Sequence, residues 1–386
     1  MKKIMLPFLS AIIFITIFAG DASAIPAFAR KYNMTCKTCH APFPKLKEYG
    51  EEFAGNGFVL KDQDAPRYFV ETGDDELSLI RDIPLAFRLE GYLTYNNSKT
   101  EQPDFSTPYI LKLLSGGALS KDIAYYFYFF FSERGDVAGI EDAFIMFNDL
   151  FGSELDVYVG QFQVSDPLFK RELRLTFEDY QIYRTSVGLS SIDLAYDRGI
   201  MFTYGFESGT DLTLEVVNGS GIGGANSFRN FDNDKYKNVV GRISQSIGKN
   251  LRIGGVSYYG NEERSDIKNE LIVLGGDATI SFEPLELNVQ YIQRTDDNPL
   301  FTAMTGDIKT QGAFGELLYM PHGDESKWYA AGLFNWIESD FENLNYKSGS
   351  LQVGYMIKRN IRTAGEFTYN IKDKFGKIGI GIIAAF

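Results

Sequence analysis

The stretch "LQVGYMIK" (residues 351–358) puts Leu351, Val353, Tyr355 and Ile357 at every second position, with Gln352, Gly354, Met356 and Lys358 between them. Successive side chains of a strand point to opposite faces, so this segment has one apolar face and one polar face. The same rhythm recurs. In "DLTLEVV" (211–217) Leu212, Leu214 and Val216 alternate with Asp211, Thr213 and Glu215. In "LELNVQY" (285–291) Leu285, Leu287, Val289 and Tyr291 alternate with Glu286, Asn288 and Gln290. Reading outward, about sixteen such segments fill residues 83–386.

A soluble sandwich shows the same alternation, and three features separate it from a membrane barrel. Segments of ten to thirteen residues recur, whereas soluble strands stop near about five or six and about ten tilted residues cross a bilayer. The connections alternate in length. Those after even-numbered segments are tight (Ser120-Lys121, Ser208-Gly209, Gly248-Lys249, Glu283-Pro284, Arg359-Asn360), while 96–106, 164–197, 219–235, 261–269, 296–307 and 338–345 are long. Outer-membrane barrels have short periplasmic turns and long outer loops. Finally, "KIGIGIIAAF" (377–386) sets Ile378, Ile380, Ile382, Ala384 and Phe386 on one face and stops on an aromatic residue. Aromatic residues near strand ends (Tyr95, Tyr258, Tyr259, Tyr319, Trp336) suit interfacial girdles. The expected fold is all-β, an antiparallel outer-membrane barrel of about sixteen strands over 83–386.

Residues 1–24, "MKKIMLPFLSAIIFITIFAGDASA", have a charged start, an apolar run and a small-residue cleavage site, the pattern of a secretory signal peptide. The chain carries a formal charge of -13; the leader holds Lys2, Lys3 and Asp21, a net +1, so the mature chain stands at -14. An acidic balance of that size argues against a nucleic-acid partner.

Residues 25–82 lie between leader and barrel, and they hold both cysteines and one of the two histidines. Cys36-Lys37-Thr38-Cys39-His40 is C-x-x-C-H. Two thiols at i and i+3 add to the vinyl groups of a haem, and the next residue offers an imidazole to the iron. The competing chemistries lack support. A thioredoxin-like pair needs a βαβ context, and zinc needs four ligands where only His322 remains. The reading is one covalent haem c on Cys36 and Cys39, with His40 as proximal ligand. Downstream, Leu46, Tyr49 and Phe53 repeat at i, i+3 and i+7, a helical face expected to pack on the porphyrin. By strand parity Met320 and Met356 face the lumen near the periplasmic end, with His322 in the turn just beyond Met320, and the distal ligand is expected to be His322 or Met320.

So short a segment cannot wrap a haem alone. It is expected to plug the periplasmic mouth or the lumen, where Gly354, Ala364, Gly379, Gly381 and Ala385 leave room. The long connection 164–197 either folds inward, with Lys170, Arg171, Arg174 and Arg184 forming an anion-selective constriction, or stays outside as a solvated loop.

"PAFARKYNMTCKTCHAPFPKLKEYGEEFAGNGF" (26–58) resembles the haem segment of the fused monohaem cytochrome–porin family, the outer-membrane iron oxidases. The matching residues are Pro26, Phe28, Ala29, Arg30, Cys36, Cys39, His40, Phe43, Pro44, Leu46, Gly50 and Phe53. The barrel resembles phosphate-selective-type porins through "VGQFQV" (159–164), "VVNGSG" (216–221) and "KNVVGR" (237–242). The first resemblance covers about thirty residues and is specific. The second is diffuse.

The resemblance implies electron transfer across the outer membrane, from an extracellular donor such as Fe(II) through the haem to a soluble periplasmic cytochrome. Acidic residues of the outer loops (Glu262, Glu263, Asp266, Asp296, Asp297, Glu338, Asp340, Glu342) are expected to concentrate cations. The alternative is a substrate-transporting porin in which the haem segment is a plug or redox sensor.

Overall fold

The computed structural model describes residues 27–60, 69–70, 72–98, 102–165, 167–303 and 306–386. The leader 1–24 and Pro26 lie outside the described residues. Sixteen strands form one closed antiparallel barrel: β1 Leu85–Asn96, β2 Gln102–Ser120, β3 Ile123–Glu133, β4 Gly139–Phe147, β5 Leu155–Phe162, β6 Asp197–Gly205, β7 Thr210–Val217, β8 Asn238–Ile247, β9 Leu251–Arg264, β10 Ile267–Phe282, β11 Leu285–Asp296, β12 Ile308–Tyr319, β13 Trp328–Ser339, β14 Tyr346–Lys358, β15 Ile361–Asn370 and β16 Phe375–Ala385. Each strand pairs with its sequence neighbours, and β1 pairs with β16 from Arg88↔Ala385 to Asn96↔Lys377. At the seam the Phe386 amide donates to the Phe87 carbonyl at 2.9 Å and the two rings stack. The terminal aromatic therefore closes the sheet and removes its last free edge.

The alternation runs opposite to that of a soluble protein. On β14, Leu351, Val353, Tyr355 and Ile357 are exposed, while Gln352, Gly354 and Met356 are buried. On β11, Asn288 and Gln290 are buried and Leu285 and Tyr291 face outward. Apolar side chains outside and hydrogen-bonded polar ones inside suit a barrel standing in lipid. No helix among the described residues is long and apolar enough to cross a membrane.

Two expectations are corrected here. The segment 261–269 is not a long loop. β9 and β10 run on to Arg264 and Ile267 and join through Ser265 and Asp266, both at positive φ, because Asn261, Glu262 and Glu263 pair with Glu270, Asn269 and Lys268. Tyr258 is not a girdle residue. Period two turns it into the lumen, buried and hydrogen-bonded by Asn238, while its neighbour Tyr259 faces out.

Residues 163–165 and 167–196 fold inward and cross the lumen, the first of the two courses open to this connection. Phe177 and Glu178 donate their amides to Glu366 of β15 at 2.6 and 2.8 Å. The Tyr180 hydroxyl donates to Glu316 of β12, and Tyr183 donates to Gln290 of β11. Tyr183, Val187, Ile192 and Leu175 are fully buried. A backbone segment buried inside a barrel needs wall partners for its polar groups, and the polar inner faces supply them.

The N-terminal segment contributes two short helices, α1 Ala27–Tyr32 and α2 Glu48–Gly55, and lies across the short-turn end. Lys37 pairs with Glu325 and Lys47 with Asp324 in the β12–β13 connection; Lys45 pairs with Glu286 at the foot of β11. On the far side of the mouth Phe58 stacks on Tyr126 of β3. The segment therefore spans the mouth from wall to wall.

Candidate functional site

The site begins with a single tight turn. Residues Cys36–Thr38 form a 3-10 turn, and the His40 amide donates to the Cys36 carbonyl at 2.9 Å. Cys36 opens this turn, and Cys39 and His40 follow directly on it. Cys36 and Cys39 are both free and partly exposed. Burial pushes their thiols up, with Arg359 opposing it at Cys36 and Lys47 at Cys39.

The backbone doubles back after His40. The Ala41 amide donates to Lys45 and the Lys47 amide to Cys39, and His40 bridges to Leu46. This return brings the Pro44 carbonyl within 2.9 Å of His40 Nδ1. A histidine that donates Nδ1–H to a backbone carbonyl has its tautomer and ring plane set and presents Nε2 as a ligand. Burial lowers the imidazole to about 4, against the backbone hydrogen bonds at Pro44 and Lys45. The ring is therefore neutral near pH 7, the form that binds a metal. The thiols at i and i+3 and this oriented imidazole fit a c-type haem.

Helix α2 locks the turn from behind. Gly50 lies against the Cys39 carbonyl, where a Cβ would overlap the oxygen. Phe53 is buried and packs edge-on against Phe28 and Tyr32. The expected face Leu46–Tyr49–Phe53 does not form. The helix starts at Glu48, so Leu46 sits before it, and Tyr49 points to solvent at 39% exposure. The buried pair is Gly50 and Phe53.

A narrow cleft separates the turn from the barrel wall. It is lined by Lys37, His40 and Phe43 from the plug and by Met320, Met356 and Arg359 from the rim. His322 lies outside it, exposed, with its amide donating to Ser326. Phe43 packs into the wall with Tyr92, Met356, Ala364, Ile383 and Ala385. Gly354 and Gly381 do not leave open space, because the Tyr329 and Tyr92 rings lie over them.

The plug and the inward loop meet in the same cluster, since Phe177 of the loop joins Phe43 and Tyr92. Arg88 donates to the Glu172 carbonyl and lies over the Phe43 ring. Just beyond, Asp179 receives Arg171 at 2.7 Å, with Arg174 and Arg184 at 3.8 Å and Arg134 at 3.9 Å. Burial alone would raise the Asp179 carboxyl, but Arg174 and Arg171 hold it well below the usual range. Four guanidinium groups, three from the crossing loop and Arg134 from the β3–β4 turn, share one carboxylate. Arg134, from the β3–β4 turn, was not legible as part of this group because it lies 45 residues from Asp179 along the chain.

Of the expected cation-gathering acids, Glu263 is paired with Lys235, Asp297 and Asp340 accept the Glu270 and Lys309 amides, and two more are buried. Glu262 is buried and accepts from Ser191 and Arg264, and Asp296 is buried against Arg294.

A closed sixteen-stranded barrel, apolar outside, polar inside and crossed by its third outer loop, defines the porin class of outer-membrane fold. No family model matches the chain, and no curated protein matches it. Solved structures do. The chain is similar to an anion-selective porin from Comamonas acidovorans (TM-score 0.59, 12% identity, 79% of this chain and 99% of that one). It is also similar to Salmonella typhi OmpF in complex with daunomycin (TM-score 0.57, 10% identity, 79% and 97%). A third is the outer-membrane channel DcaP of Acinetobacter baumannii (TM-score 0.56, 12% identity, 79% and 97%). At these identities the likeness is one of fold.

Proposed function

We propose that this chain resides in the outer membrane and transfers single electrons across it through one c-type haem held by its N-terminal plug. The donor is extracellular, ferrous iron by the resemblance of the plug, and the acceptor is a soluble periplasmic cytochrome. The observation that carries the reading is the turn Cys36–His40 set into the barrel mouth with Nδ1 of His40 engaged by Pro44. When bound, the haem supplies reversible one-electron chemistry, with Cys36 and Cys39 as its thioether anchors and His40 as its proximal ligand.

The chain's own residues do the rest. Pro44 orients the imidazole, Gly50 and Phe53 hold the turn rigid, and Phe43 with Lys37, Lys45 and Lys47 fastens the plug to the wall. The inward loop is bonded to the inner wall at Glu366, Glu316 and Gln290, and the plug to the mouth at Glu325, Asp324 and Glu286.

The test is anaerobic stopped-flow mixing of the oxidised protein in nanodiscs with Fe(II), following the haem α-band. Fast, saturable reduction supports the reading. Reduction by dithionite but not by Fe(II) removes iron as the donor.

The second reading is a solute porin with the plug as gate or redox sensor. The porin fold favours it, as do Arg134, Arg171, Arg174 and Arg184 gathered where the loop crosses the lumen. Planar-bilayer conductance of the full chain decides it. Steady anion-selective conductance supports transport, and silent bilayers with folded protein oppose it.

A further inference from the structure

We infer that Met356 supplies the second axial ligand at this site, an assignment that rests on the haem reading above. His40 belongs to the plug, and the element packed over the plug is the barrel wall. The cleft that His40 lines is closed on its other side by that wall, which is where a second donor to a group held by His40 is available. The cleft between plug and wall contains two soft donors, the thioethers of Met320 and Met356. His322 does not line it. Met34 belongs to a different cluster, packed against Tyr32 and Phe53.

Three observations favour Met356 over Met320. Met356 is buried in the same cluster as Phe43, three residues after His40 in the chain. It sits at the edge of a β-bulge, since the β14–β15 register shifts between Met356 and Lys358. Bulges at barrel rims re-aim side chains and recur beside functional sites. Met320 instead packs toward Leu175, Leu318, Tyr329 and Ala331, on the side of the inward loop. An unbranched thioether on a strand end can move to a metal without disturbing the sheet. Histidine–methionine ligation also raises the haem potential, which suits a one-electron donor that is itself a weak reductant.

The experiment uses the full chain in nanodiscs. A pyridine haemochrome assay first establishes covalent haem, and far-red absorbance of the oxidised protein then reads the thioether-to-iron charge-transfer band. The expected result is a band in the unaltered protein that disappears in Met356→Leu, with a lower midpoint potential and new binding of added imidazole. Met320→Leu keeps the band, and Met356→His restores six-coordination at a potential lower still. Circular dichroism and heat-modifiable gel migration report barrel folding in each variant. Persistence of the band in Met356→Leu, or its loss in Met320→Leu alone, overturns the assignment. Covalent haem without any such band in the unaltered protein overturns it too while leaving the haem reading intact. Absence of covalent haem overturns both.

Discussion

The guanidinium of Arg171 grips the carboxylate of Asp179 at two points, Nη2 to Oδ2 at 2.7 Å and Nε to Oδ1 at 3.2 Å, inside the barrel lumen. Both side chains are almost wholly buried. Removing one partner of a buried pair leaves an uncompensated charge, which costs about 3–5 kcal/mol. Asp179→Asn would leave Arg171, Arg174, Arg184 and Arg134 facing one another without their shared carboxylate. The expected outcome is release of the loop 163–196 from the lumen, read as faster proteolysis within that loop and a lower unfolding temperature. Unchanged protection would mean that the wall contacts at Glu366 and at Asn335, which accepts from the Gln181 amide and donates to the Asp179 carbonyl, hold the loop alone.

A second pair gives the loop a pH response. Lys112 of β2 donates to Glu172 at 2.8 Å. Burial would raise the Glu172 carboxyl, but Lys112, then Arg174, Arg88 and Arg171, bring it down to about 2 from an ordinary 4.5. A depressed carboxylate stabilises the fold fully above its ordinary value and loses that contribution as the pH falls toward the depressed one. Through Glu172, loop protection from proteolysis should therefore fall as the pH drops between about 4.5 and 2. Acid-stable proteases or hydrogen exchange can follow it, and Glu172→Gln should flatten the acid limb.

Gly50 and Cys39 make the plug sensitive to a single methyl group. A Cβ at Gly50 would overlap the Cys39 carbonyl and crowd Leu46. Overpacking of this kind costs about 1–3 kcal/mol. With the proposed haem on the plug, Gly50→Ala should lower covalent haem content while leaving barrel folding intact, and haem-stained gels beside heat-modifiability would separate the two. Full haem content in the variant would show that the turn tolerates the displacement.

The ion pairs of the plug should not contribute equally. Lys37–Glu325 is solvent-exposed on both sides, and exposed pairs contribute little. Lys45–Glu286 is the more enclosed, at 21% and 14% side-chain exposure. Lys45→Ala should loosen the plug measurably, seen as faster proteolysis of residues 27–60. Lys37→Ala should be close to silent, since Glu325 keeps Arg359 at 3.0 Å.

Much of the barrel was legible because strand alternation is a local signal. Leu351, Val353, Tyr355 and Ile357 declare their face within eight residues, and nothing distant has to be known. Turn parity is equally local, which is why sixteen strands emerge from spacing alone. The reading failed where pairing ran past the apolar pattern, as at Ser265-Asp266, whose flanking polar residues pair across β9 and β10. It failed again at Leu46 and Tyr49, because a helix of eight residues starts where its backbone partners permit rather than where the apolar period begins.

By itself the sequence determined the strand period, the alternation of turns and the five-residue grouping of Cys36, Cys39 and His40, all short-range properties of the chain. Only the tertiary structure decided that residues 163–165 and 167–196 turn inward, because their partners are remote: Phe177 and Glu366 stand 189 positions apart. It also decided that Met356 lines the cleft beside His40 while His322 faces solvent, since closing the barrel brings β14 and the plug together. Burying polar backbone inside a lumen requires hydrogen-bond partners on several strands at once, and only the closed sheet assembles them.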